Sequence, residues 1–400
     1  MTTTSGVTRH DVIVVGARCA GASTARLLAQ RGHDVTVVDR AAFPSDTLST
    51  HGIARGGVVQ LSRWGLLDRV LASGAPPVRE VSFVTPSGEV TRRLKKRAGV
   101  DLVLAPRRHV LDAMLVAEAR AAGVTVRTAT SATGVLRDDD GRVTGITART
   151  RSGQELTMHA RHVVAADGLR STMAAKLGAV ERRSFTADIA LFFMYVDEVP
   201  WRGFEFHVAE RGFAGVFPTH DGAACVWLTR PTALLERVRT AGADRAAALT
   251  AALDEVSPRL AARVRTGRVV SPVRGTIASP SFVRQAGGPG WALVGDAGYH
   301  RDPITGHGIT DAFRDAELLS DALHGALVGS LPEADALAAY GSARDAALRE
   351  TFRLTRELCQ FPPPARFVEL QVQLSEALES EAQTLASRPA PAGLVAASAA

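Results

Sequence analysis

Three stretches of the chain carry residue types at spacings that can do chemistry. The first is Gly16-Ala17-Arg18-Cys19-Ala20-Gly21. It follows the apolar run Val12-Ile13-Val14-Val15 and precedes small residues at helical spacing. Such a turn leaves backbone N–H groups and the positive end of a helix dipole open to an anion, which suits a pyrophosphate. Gly16 and Gly21 stand where a dinucleotide-binding turn keeps its first and third glycines. Arg18 replaces the middle one, so phosphates either lie farther out or pair with its guanidinium. Cys19 and Ala20 complete the turn. A helix N-terminus could lower the Cys19 thiol pKa, although a small residue packed under a cofactor is its plainer role. Asp39, 23 positions after Gly16 and followed by Arg40, ends the next apolar run, where a carboxylate can accept from a ribose hydroxyl. A plain strand–helix turn is the alternative this stretch leaves open.

The second stretch is Gly295-Asp296-Ala297 after the apolar run 291–294, followed by Pro303, Gly306 and Gly308 ahead of a helical pattern opening at Ile309. The third is Ala165-Ala166-Asp167-Gly168-Leu169-Arg170-Ser171. Candidate catalytic groups are His51, His300, Arg301, Asp302 and Pro303; a histidine in such a loop can exchange protons near neutral pH. The plainer alternatives are that His51 and His300 hold loop backbone and that Arg301 pairs with Asp302. No metal site is expected. His159 and His162 are three residues apart across a strand–loop junction and fall on opposite faces. Cys19, Cys225 and Cys359 are too far apart for a disulfide framework or a zinc motif.

The elements that must position these residues follow from periodicity. Residues 11–15 and 34–38 read as buried strands flanking a helix over 19–31 that Gly32 closes, a βαβ opening with a parallel sheet. Helices are expected at 53–64, 66–72 and 107–121, with a hairpin around Pro86-Ser87-Gly88. Alternation over 130–137, 142–150 and 154–159 suggests a β-meander, and 161–166 a separate buried strand. Most aromatics lie between 183 and 230, in segments that fit an antiparallel sheet with one face on a pocket. Phe193, Tyr195, Phe206 and Phe217 are the candidate pocket lining, with ordinary sheet core as the plainer reading. Helices follow near 232–252, 257–265, 308–327 and 333–357, the last continuing to 385. The 400 residues are 46% hydrophobic and 22% charged, an ordinary globular composition. The net charge of +6 is carried almost wholly by scattered arginine, with one short cluster at 92–97, and no nucleic-acid motif accompanies it. No apolar run is long enough to span a bilayer. Residues 1–8 lack an apolar signal core, so a cytoplasmic setting is expected.

Gly295-Asp296-Ala297, Pro303 and the Gly306–Gly308 turn together resemble the second flavin motif of the FAD-dependent monooxygenases similar to p-hydroxybenzoate hydroxylase. That superfamily also holds flavin-dependent halogenases and geranylgeranyl-reductase-like oxidoreductases. The resemblance covers roughly residues 10–330. It implies an α/β fold: a Rossmann-like FAD-binding domain (1–78, 101–178 and 268–330), a mixed antiparallel-sheet substrate domain (79–100 and 179–267) and C-terminal helices (331–386). A mobile tail is expected at 387–400. By the same resemblance Asp296 binds the ribityl chain, Pro303 lies beside the ring, and the helix from Ile309 aims its N-terminus at the pyrimidine edge, where its dipole favours reduced flavin. Asp167 and Gly168 brace the FAD site, and Arg108 lies near the FAD phosphates, with Arg107 a substitute.

FAD is therefore the expected cofactor. No second dinucleotide fingerprint is present, so electrons come from transient NAD(P)H binding or from a partner flavin reductase. Met173, Ala174 and Ala175 replace the arginine the family often places after the Asp-Gly motif, which weakens direct NADPH handling there. Halogenation is disfavoured: no lysine occurs before Lys95, and 212–218 lacks the paired tryptophans of the halogenases. The resemblance implies hydroxylation or epoxidation of a small aromatic or hydrophobic metabolite by molecular oxygen, through a flavin C4a-hydroperoxide. A reductase of the geranylgeranyl-reductase type is the alternative; a halogenase and a non-catalytic flavoprotein rank lower.

Overall fold

Alternate residues of the first strand, Arg9–Val15, enter different cores, and this pattern organises the first half of the chain. The structure is a computed structural model and describes residues 9–391. Residues 1–8, read above for a signal, and 392–400 of the expected tail lie outside the described residues. Val12 and Val14 pack with Leu27 and Leu28 of the helix Cys19–Ala29, Leu111 and Leu115 of the helix Arg108–Ala121, and Phe313 of the helix Gly308–Leu327. Ile13 and Val15 pack on the other side, with Val163, Ile146, Met158 and Met173. A parallel sheet covered on both faces needs apolar residues at every position, which is why the strand reads as a continuous run.

The strands run in the order Gly287–Gly288, Trp291–Leu293, Glu155–Ala165, Arg9–Val15, Val35–Val38 and Thr125–Arg127. Val14 sits opposite Val37 on one side and Val164 on the other, both in parallel register. The segments expected as two strands, 154–159 and 161–166, form one strand. Its first half pairs antiparallel with Val143–Thr150, and its second half runs parallel between Arg9–Val15 and Trp291–Leu293. His159 and His162 therefore lie within a single strand rather than at a strand–loop junction, and odd spacing puts them on opposite faces.

The second sheet has the order Arg268–Val269, Ile189–Asp197, Ala224–Pro231, Gly212–Pro218, Phe204–Ala209, Glu80–Thr85 and Gly88–Arg93. Phe192, Met194, Val216 and Leu228 face the helices Arg245–Asp254 and Pro258–Thr266. Phe193, Tyr195, Phe217 and Trp227 face the other way, toward Ile304, Phe361 and the helices Glu333–Leu358 and Pro364–Ser387. Two expected boundaries move. Arg268–Val269 and Arg274–Ile277 hydrogen-bond to Ile189–Asp197 and so belong to this sheet, not to the cofactor-side segment drawn from 268. Glu181–Thr186 leaves it, forming a small sheet with Pro280–Arg284 and Tyr299–His300. The long C-terminal helix is broken at Phe361, whose φ is +46°, and at Pro362-Pro363-Pro364, which lack the N–H a helix interior needs. The tail expected from 387 begins pinned: Ser387 ends the last helix, and Arg388 pairs with Glu317 at 2.7 Å and Asp321 at 2.6 Å.

Candidate active site

Gly16 holds φ +106°, and a Cβ there would lie 2.3 Å from the Ala166 carbonyl oxygen. Only glycine turns the chain this tightly against the neighbouring strand end. The Gly16 amide donates to the Val38 carbonyl at 2.8 Å. Asp39 takes the next amide: Oδ2 accepts from the Ala17 N–H and Oδ1 from the Ala41 N–H, each at 2.7 Å. Arg40 is exposed beside it. The helix Cys19–Ala29 starts without a side-chain cap, so its first-turn amides stay open to a ligand.

Arg18 does not project as a free guanidinium. It bonds Asp112 Oδ2 at 2.6 Å and Ser45 Oγ at 3.1 Å. Arg108 grips the same carboxylate at 3.1 and 3.0 Å. Asp112 is fully buried, so two arginines and one acid leave a net positive charge at the start of the helix Arg108–Ala121. The Cys19 thiol donates to Asp112 at 3.3 Å, and burial raises its pKa; the helix-terminus effect expected from sequence is overridden.

The far end of the chain closes onto this turn. Gly295, at φ +59°, lies so close to Ala20 that a Cβ there would come within 2.7 Å of the Ala20 Cβ. Asp296 is partly buried and makes no side-chain hydrogen bond among the described residues. Burial raises its pKa, while His300 and Arg108 pull it down. Asp302 caps the turn Pro303–Thr305 through the Ile304 N–H at 3.0 Å, and Pro303 fits the first position of that turn. Gly306 ends the turn in the left-handed region, and neither Gly306 nor Gly308 has any atom within 4 Å of where a Cβ would sit. The helix Gly308–Leu327 also opens without a side-chain cap, with Ile309 buried behind it. Two uncapped helix ends, an unspent carboxylate and an open glycine turn thus lie around one junction.

The family model described as "FAD binding domain" matches residues 9–355. The chain belongs to this FAD-binding family. A digeranylgeranylglycerophospholipid reductase of Methanocella arvoryzae is 26% identical over 352 residues, 85% of this chain and 83% of the relative. Aklavinone 12-hydroxylase DnrF of Streptomyces peucetius is 34% identical over 188 residues, 42% of this chain and 37% of the relative. Two solved structures share the fold. The flavin-dependent brominase Bmp2 has a TM-score of 0.79 at 18% identity, covering 96% of this chain and 97% of Bmp2. PqsL of Pseudomonas aeruginosa, a probable FAD-dependent monooxygenase, has a TM-score of 0.77 at 21% identity, covering 91% of this chain and all of PqsL.

The residues of this flavoprotein fit FAD. The open first-turn amides of the helix Cys19–Ala29 would suit its pyrophosphate, and the Asp296 carboxylate is free to accept from hydroxyl donors such as a ribityl chain carries. The open turn at Gly306 and Gly308 leaves room for a flat ring beside backbone N–H groups. Asp39 is already committed to two amides, so it reaches a ribose only with lone pairs not used in the turn. Asp167 is likewise committed to local structure: it accepts from the Ser171 hydroxyl and from the Met173 N–H at 3.1 Å, bracing the helix Thr172–Leu177. Gly168, at φ +82°, keeps open space beside it.

The catalytic candidates separate. His51 is buried, and its Nε2 lies 2.8 Å from the Tyr195 hydroxyl. Burial, with Arg107 and Arg108 nearby, lowers its pKa to about 3, so it is neutral at physiological pH and does not titrate there as its type alone suggested. Arg107 is no substitute for Arg108: its guanidinium lies 3.7 Å from the Tyr195 ring centroid. Arg301 and Asp302 do not pair with each other. Arg301 lies 2.9 Å from Asp311, and buried Asp302 has its pKa raised to about 7 by desolvation. Asp302 braces the loop, while the Arg301 guanidinium, ion-paired with Asp311, makes no hydrogen bond among the described residues. His300 Nδ1 meets the Pro280 carbonyl, so it too holds backbone. Phe206 stacks on Phe83 and Phe213, part of the aromatic packing of the sheet, while Phe217 meets the loop at Gly52. Sequence reasoning left Asp112 and the Tyr195–His51 pair unassigned. Asp112 was legible as an acid one turn after Arg108; the pair joins residues 144 positions apart and had no local signal.

Proposed function

We propose that this flavoprotein is a monooxygenase that hydroxylates or epoxidises a small aromatic or hydrophobic metabolite, using molecular oxygen. The observation that carries this reading is the aromatic sheet face of Phe193, Tyr195, Phe217 and Trp227, which shares one apolar cluster with Ile304 of the Pro303–Thr305 turn. The helices Glu333–Leu358 and Pro364–Ser387 cover most of that face, so a flat, apolar substrate would sit at its margin, against the turn we propose for the flavin. Bound FAD supplies the two-electron chemistry. The chain's own groups exclude water and orient protons. His51 is neutral. The His51 Nε2 and the Tyr195 hydroxyl share a 2.8 Å hydrogen bond, and burial keeps that phenol protonated. The Arg107 guanidinium over the Tyr195 ring holds the phenol in place and puts positive charge beside it.

Two things support this choice over the other chemistries of the fold. The hydroxylase relative has the higher identity over the segment it matches. The three lysines, Lys95, Lys96 and Lys176, are all exposed, and none lies in the loop from Phe43 to His51. Reduction of a prenyl chain is the second reading, favoured by the longer match to the phospholipid reductase. The deciding experiment measures NADH and NADPH oxidation with candidate substrates under air and under argon, with labelled oxygen in the aerobic arm. The same assay with an added flavin reductase identifies the electron donor. Label in the product supports the monooxygenase. A reduced product under argon without label overturns it in favour of the reductase.

A further inference from the structure

We propose that Glu381, on the last helix, is a positioning residue for the cofactor, acting through His307 on the turn that opens the helix Gly308–Leu327. This rests on the reading that the Gly306–Gly308 turn meets the flavin. Neither flanking glycine has a neighbour where a side chain would be, so no side-chain packing at those two positions fixes the turn. His307 supplies the hold instead. It is buried, and its Nε2 lies 2.9 Å from Glu381 Oε2. Glu381 Oε1 accepts from Arg314 at 2.7 Å, and the same guanidinium bonds Asp311 at 2.8 Å and Asp315 at 2.9 Å. Arg301 lies 2.9 Å from the second Asp311 oxygen. Glu381 therefore connects the residue before the helix with the residues of its first two turns.

The arrangement is not a metal site in waiting. His307, Asp311 and Glu381 have ligand atoms within 4.8 Å of one another. Two guanidinium groups already occupy the carboxylates, however, and would repel a cation. Nor is apolar docking lacking: Leu370, Leu374, Ala382 and Leu385 bury the helix Pro364–Ser387 without help from charge. A buried ion network is a weak source of net stability and a strong constraint on geometry. Arg301 and Arg314 face the carboxylates of Asp311, Asp315 and Glu381 in this network, so removing one carboxylate makes the charge beneath the turn more positive.

The test compares Glu381→Gln, Glu381→Leu, His307→Gln and His307→Ala. FAD affinity is read by flavin fluorescence on the apoprotein and the flavin midpoint potential by spectrophotometric titration; circular dichroism checks the fold. Glu381→Leu and His307→Ala are expected to lose at least 10-fold in FAD affinity, as a lost charge-assisted hydrogen bond would predict. His307→Gln, which keeps a donor toward Glu381, is expected to stay within a few-fold of the parent. Glu381→Gln keeps the contact but removes the charge, so it should bind FAD and raise the midpoint potential. If Glu381→Leu fails to fold, the Gln variants decide by their potentials. Parent-like affinity and potential in all folded variants would overturn the proposal. Asp296→Ala separates the two readings. If it loses FAD while the Glu381 and His307 variants do not, only the positioning role falls. If it too retains FAD, the site assignment itself falls.

Discussion

Asp296 and His51 show how one side chain's surroundings decide its use. Asp296 has an unspent carboxylate beside Arg108, at the point where both ends of the chain meet. Replacing it with alanine should weaken FAD binding roughly 10- to 100-fold, the worth of a hydrogen bond to a charged group, with little change in melting temperature; equilibrium dialysis of FAD measures the first and calorimetry the second. His51 behaves oppositely, being held neutral by burial and two arginines. Its ordinary pKa of 6.5 applies in the unfolded chain and a value of about 3 in the folded one. As pH falls through that window the unfolded chain binds a proton that the native state refuses, so stability is lost. Linkage puts the loss at up to about 5 kcal/mol, and essentially none well above pH 6.5. His51→Gln should flatten the decline of urea stability between these pH values. An equally steep decline in the variant would assign the acid sensitivity elsewhere. Tyr195→Phe should lower product formation relative to NAD(P)H consumption by about 10-fold, because proton transfer by a positioned side chain is worth at least that; uncoupled peroxide release measures it.

At the scale of elements, turns set the position of helices. Gly16 and Gly295 bring the starts of the helices Cys19–Ala29 and Gly308–Leu327 to one junction because each permits a backbone approach that a Cβ would block. Gly295→Val adds both strain at positive φ and overlap with Ala20. It should cost about 1–3 kcal/mol in stability and remove FAD from the purified protein, seen as loss of absorbance near the flavin band. The Asp302-Pro303 start and Gly306 end define the turn between them, in which a cap, a fixed φ and a left-handed residue occur in the order a short turn requires.

For the whole molecule, the C-terminal helices couple two layers. The helix Pro364–Ser387 packs its apolar side on the aromatic sheet cluster, pairs Glu379 with Arg55 at 3.0 Å, and reaches the turn before Gly308 through Glu381. Phe367, almost fully buried in that cluster, tests the coupling. Phe367→Ala should cost about 3–5 kcal/mol of stability, as large-to-small changes do in a filled core. It should also raise the KM for an apolar substrate, a joint effect that steady-state kinetics below the melting transition would separate from unfolding. No helix of the described residues is long and apolar enough to cross a membrane.

Local pattern was enough for the parallel strands, the helix opening at Gly308, the hairpin at residues 80–93, and the tight glycine turns at Gly16, Gly295 and Gly306. These depend on periodicity and on backbone conformations that only certain residues adopt, and both are properties of neighbours in the chain. Strand Glu155–Ala165 could not be read as one element, because its two halves take different partners and its pattern changes midway. The fates of Arg18 and His51 were equally hidden: each is decided by a group distant in sequence, whether Asp112 or Tyr195 with its covering arginine, while Arg301 meets Asp311 across the intervening turn. Residue type sets what a side chain can do, but the dielectric and the charges around it, which come from remote segments, set what it does.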